Sequence, residues 1–110
     1  MIREKEIEKT LISRVRKSGG LCLKFVSPGW DGAPDRLCLL PGGRLFFAEL
    51  KRPGGKMRPL QERRRKQLEE LGFEVVLIDS KDGAKVVTKA ESVTKAESVT
   101  KAGGDVLAKT

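Results

Sequence analysis

The chain contains no histidine and no tyrosine among its 110 residues. Their absence removes Ser-His-Asp and Cys-His nucleophilic catalysis, histidine-ligated zinc and tyrosine-nucleophile chemistry in one step. Carboxylates, lysine, serine and two cysteines are left for chemistry. Cys22 and Cys38 lie in the apolar stretches GLCLKF and RLCLL with no C-x-x-C spacing, so both read as small core residues. Long apolar runs are also missing. Nothing approaches the ~18 residues that would span a membrane, and the opening MIREKEIEK is charged, which implies a soluble, reducing, intracellular setting, the cytoplasm. Negative charge is the scarcer sign. With 23 Lys and Arg against 15 Asp and Glu, the formal charge is +8 and the expected partner is a polyanion, nucleic acid first. The length fits a single domain.

Ile7, Leu11, Ile12 and Val15 recur on one face of a helix that should run from about Arg3 to Lys17 and stop at Gly19-Gly20. LCLKFV, residues 21–26, reads as a strand entering the turn-rich SPGWDGAP loop. DRLCLL and RLFFAELK flank Pro41-Gly42-Gly43 and predict a β-hairpin. Pro59 suits a first helical position and Gly72 a helix stop, which predicts a second helix from about Pro59 to Leu71. FEVVLID, residues 73–79, is a continuous apolar strand of the kind that follows a crossover. The predicted order is α-β-β-β-α-β, an α/β fold with a mixed central sheet flanked by helices, over residues 1–80. Residues 81–110 form a low-complexity tail. The repeated VTKAES has no coherent apolar face on a helix or a strand, so the tail reads as marginal helix or disorder.

Chemistry concentrates in Pro34-Asp35, thirteen intervening residues, then Glu49-Leu50-Lys51. Glu49 and Lys51, two apart in a strand, face the same side. Burying that pair beside a core is costly without partners or a metal. A two-residue turn at Gly42-Gly43 would put Asp35 on the opposite sheet face from Glu49. A shared site therefore predicts a three-residue Pro41-Gly42-Gly43 loop, or a bulge near Pro34. Glu8, on the same helix stripe as Leu11, Ile12 and Val15, points a further carboxylate at the sheet, with Glu4 one turn earlier as the competing residue.

This constellation, Pro34-Asp35 and Glu49-Leu50-Lys51 preceded by a helical Glu, resembles the PD-(D/E)xK nuclease superfamily, and within it the VRR-NUC domain. The resemblance runs from about Met1 to Ser80 and includes the PGG turn and the PLQ segment with Gln61. It implies a restriction-endonuclease-like core and metal-dependent phosphodiester hydrolysis, with a preference for branched DNA such as four-way junctions or flaps, by a homodimer. The implied site is Glu8, Asp35, Glu49, Lys51 and Gln61. Asp35, Glu49 and the Leu50 carbonyl, with Glu8 for a second ion, would hold Mg²⁺ or Mn²⁺ by hard oxygen donors. Between Lys51 and Lys66 eight cations face one carboxylate. Arg52, Lys56, Arg58, Arg63, Arg64, Arg65 and Lys66 are accordingly read as a DNA-backbone surface. Trp30 is read either as a base-stacking residue or as a cap on the core.

Overall fold

The computed structural model describes residues 2–89. Helix α1 spans Glu4–Lys17, strand β1 Leu21–Lys24, β2 Arg36–Leu40 and β3 Arg44–Leu50. Helix α2 spans Pro59–Glu70, β4 Glu74–Ile78 and α3 Lys81–Lys89. The four strands form one sheet in the order β1-β2-β3-β4. β1 and β3 pair antiparallel with β2, and β4 joins β3 in parallel, with α2 as the crossover that a parallel neighbour requires.

Strand alternation divides the core. Phe46, Ala48 and Leu50 turn to one face, where Ile7, Leu11 and Val15 of α1 and Ala84 and Val87 of α3 cover them. Phe47 turns to the other face with Val75, under Leu68 of α2. Removing a large apolar side chain from water contributes about 1.5–3 kcal/mol. The three α1 residues, each 0% exposed, are therefore the main anchor of that helix.

In two places the structure goes beyond the sequence reading. First, the fold does not end at Ser80. Ser80 accepts the Gly83 N–H on its hydroxyl at 2.9 Å, an N-cap that starts α3. Ala84 and Val87, three apart, then reach the core on one side of the helix. The carbonyl of Val87 accepts from buried Arg44 at 2.6 Å. A single turn needs only two apolar positions, so the lack of a sustained apolar face in the repeats did not prevent it; residues 90–110 lie outside the described part. Second, Cys22 and Cys38 are neighbours. They pair directly across β1 and β2, with sulfurs 3.8 Å apart.

Candidate active site

The site is built on the β2–β3 hairpin. Leu40 pairs with Arg44, leaving Pro41, Gly42 and Gly43 as a three-residue loop. Gly42 and Gly43 have φ of 86° and 82°, where a Cβ would be penalised. The paired register ends at Arg36 opposite Ala48, one step short of Asp35 and Glu49. The Asp35 N–H donates to Ala48 O at 3.0 Å, although Ala48 already pairs with Arg36. Two residues therefore crowd against one, as in a β-bulge. Both devices named from the sequence, the three-residue loop and the bulge, are present.

The Asp35 carboxylate accepts the Leu50 N–H on Oδ2 at 2.8 Å, so Leu50 contributes its amide to the arrangement. Upstream, Gly32 has φ of 85°, and a Cβ there would come within 2.8 Å of Leu60 Cγ. Only glycine lets the 27–34 loop run this close to α2 and deliver Asp35 to the strand end.

Glu49 is 1% exposed on the α2 side of the sheet. Its Oε2 accepts Gln61 Nε2 at 2.7 Å and lies 3.6 Å from Lys51 Nζ. Gln61 cannot be turned around without loss, because its Oε1 accepts the Arg58 N–H at 2.8 Å. The start of α2 thus fixes the amide with its NH₂ toward the carboxylate. Glu49 Oε1 is buried without a hydrogen-bond partner. Burial first, then the Asp35 charge, raises the proton affinity of Glu49 to about 7, with Lys51 acting the other way and Glu4 adding to the rise.

The structure brings together Asp35, Glu49, Lys51 and Gln61, and it does not bring Glu8. Glu8 Oε2 accepts Arg36 Nε at 2.9 Å on the α1 side of the sheet, away from the face that carries Glu49. The helix stripe was legible, but not the strand cation waiting beneath it. Arg36 also donates to the Cys22 carbonyl at 3.3 Å, and nothing in the helix pattern signals it. Glu4, on the first turn of α1, is the helical carboxylate whose charge reaches Glu49.

No protein-family model matches the chain. The chain is 49% identical over 87 residues to a protein named "Putative nuclease p44" from Acyrthosiphon pisum secondary endosymbiont phage 1, covering 79% of this chain and 94% of that protein. A solved structure described as a VRR-NUC domain matches with a TM-score of 0.72 and 31% identity, over 81% of this chain and 98% of that one. The chain belongs to the VRR-NUC family.

In this VRR-NUC domain the donors fit a hard divalent cation. Asp35 and Glu49 are adjacent like charges, and the unpartnered Oε1 is a buried lone-pair site with no proton donor to serve it. Among the described residues no group of three or more His, Cys, Asp or Glu converges. Two carboxylates suit an ion such as Mg²⁺, which usually keeps several waters and takes few protein ligands.

The cations of the VRR-NUC domain are less uniform than their sequence cluster. Arg64 lies 4.9 Å over the Trp30 ring and donates to Asp31 O at 2.7 Å and Gln67 Oε1 at 3.0 Å. Arg65 is held between Glu62 at 3.8 Å and Glu69 at 3.1 Å. Trp30 packs against the cluster formed by Phe47, Leu68 and Val75, so it caps the core and pins the loop. Arg52, Lys56, Arg58, Arg63 and Lys66 are exposed. No helix among the described residues is long and apolar enough to cross a membrane.

Proposed function

We propose that this protein is a Mg²⁺- or Mn²⁺-dependent endonuclease that hydrolyses DNA phosphodiester bonds. Its preferred substrates are branched DNA such as four-way junctions and flaps, met in the cytoplasm during replication, repair or recombination, and its working form is a homodimer. The observation that carries the reading is Glu49 Oε1, a buried and unpartnered carboxylate oxygen beside Asp35 and Lys51. A protein does not keep such a group without a ligand for it except at a cost. The relative's name and the VRR-NUC likeness point the same way.

Asp35, Glu49 and the Leu50 carbonyl would hold the cation. When bound, it would neutralise charge at the scissile phosphate and lower the pKa of water. The Leu50 N–H holds the Asp35 carboxylate, and Gln61 holds Glu49 Oε2 so that Oε1 stays available. Lys51 stands at the edge of the pair to orient the nucleophile and to offset charge that grows on the phosphate. Glu8, engaged by Arg36, stands apart from the pair, and Glu4 adds only the smallest share of the field at Glu49. Arg52, Lys56, Arg58, Arg63 and Lys66 would grip the backbone without reading sequence.

The test is cleavage of linear duplex, flap and four-way junction with Mg²⁺ or Mn²⁺, against EDTA. Asp35→Asn, Glu49→Gln and Lys51→Ala should each abolish cleavage and leave binding within a few-fold. Undiminished cutting in EDTA, or in these variants, would overturn the assignment. Binding with no cleavage by the unaltered protein would instead favour a non-catalytic basic module on the same fold.

A further inference from the structure

Helix α1 carries a second basic surface that the 51–66 cluster draws attention away from. Lys9, Ile12, Ser13, Arg16 and Lys17 line an open cleft of about 360 Å³ along its outer side, and Lys5 is exposed one turn before Lys9. The spacings of 3, 4, 7 and 8 from Lys9 place these residues on one stripe, away from buried Ile7, Leu11 and Val15.

Two of the three acids of this helix are engaged elsewhere. Glu8 is engaged by Arg36 at 2.9 Å and Glu6 by Lys81 at 3.8 Å, cations supplied by β2 and α3. Lys5, Lys9, Arg16 and Lys17 have no ion pair among the described residues, unlike Arg65 of α2, which has two. From Lys5 to Lys17 the stripe covers about 18 Å of helix at ~1.5 Å per residue. That is roughly five steps of a DNA strand at ~3.4 Å each. Ser13 adds an exposed hydroxyl, a suitable phosphate donor.

We infer that the outer face of α1 binds a second DNA segment by its phosphodiester backbone, a separate duplex arm from the one held at the catalytic face. α1 and α2 cover opposite faces of the sheet. A straight duplex lying along one helix is therefore screened from the other by the layers between. The two surfaces address two arms of a branched substrate. This deepens the nucleic-acid reading above and rests on it.

The measurement is fluorescence anisotropy of the full chain with a labelled four-way junction and a linear duplex of equal length, in EDTA, across a salt series. In Lys9→Ala/Arg16→Ala/Lys17→Ala, junction affinity should fall about tenfold or more. The slope of log affinity against log salt should shrink by about 3, while linear-duplex affinity stays within about twofold. An unchanged junction slope with a lowered melting temperature would overturn the inference, reducing these cations to partners of the helix C-terminal dipole. Equal loss on both DNAs would also overturn it, since one continuous surface would then serve a single duplex. Because the readout is binding, a protein that binds in this pattern but cuts nothing in Mg²⁺ would defeat the nuclease reading and leave this one standing. Failure to bind either DNA would defeat both.

Discussion

Glu49 ionises against its surroundings, and the consequence is a stability that depends on pH in a set direction. Burial and the Asp35 charge raise its proton affinity from 4.5 to about 7. In the absence of a cation, the folded chain keeps a proton between those values that the unfolded chain has released. Stability then falls as pH rises through 4.5 to 7, by up to about 3 kcal/mol at ~1.4 kcal/mol per pKa unit. Urea denaturation in EDTA at pH 5 and pH 7.5 measures the difference. Glu49→Gln should flatten it, and an undiminished difference in that variant would assign the effect elsewhere. Added Mg²⁺ should restore the loss at pH 7.5, because a ligand of the native state raises stability by mass action. The sequence disclosed the members of this cluster but not how they are satisfied. Strand alternation places Glu49 with Lys51, whereas the orientation of the Gln61 amide is set by the N–H of Arg58, a backbone contact that no residue pattern discloses.

Among the elements, those with strong local chemistry were legible and those decided by long-range pairing were not. The Pro41-Gly42-Gly43 loop announced itself, since glycines with positive φ and a shared site at the strand end demand one register. Pro59 and Gly72 bracketed α2 for similar reasons. The partner of Glu8 was hidden, because a helix stripe shows that a side chain faces the sheet and not that Arg36 stands there. Helix α3 was hidden as well. Its weight rests on contacts with α1 and on Arg44, 43 residues away in sequence. Truncation after Ser80 should therefore cost about 2–5 kcal/mol, the range for large-to-small changes in a core. It removes Ala84 and Val87 and takes the Val87 carbonyl from the buried Arg44 guanidinium, leaving it Glu74 at 3.5 Å and an Nε already unpartnered. Truncation after Lys89, which keeps each of those contacts, is the reference for that cost. Chemical denaturation of both against the full chain decides it, and equal midpoints would show that α3 adds nothing to the core.

For the molecule as a whole, the proposed assembly turns on the β1 edge. Leu21 and Leu23 are 57% and 42% exposed on a strand with one unpaired side, and Val26 just beyond its end is 68% exposed, the kind of edge that proteins cover or pair. The proposed dimer should bury it. Light scattering at micromolar concentration should give twice the 12.1 kDa chain mass, and Leu23→Lys should return it to one. A monomeric mass for the unaltered chain would remove the dimer. The raised proton affinity of Glu49 has a further consequence for any assay. With no imidazole in the chain, no histidine titration overlaps that of Glu49, and lysine and arginine as classes titrate far above neutrality. Acidity between pH 6 and pH 8 therefore acts at Glu49, where a proton and a cation compete for one carboxylate, while the basic surface proposed to hold DNA keeps its charge.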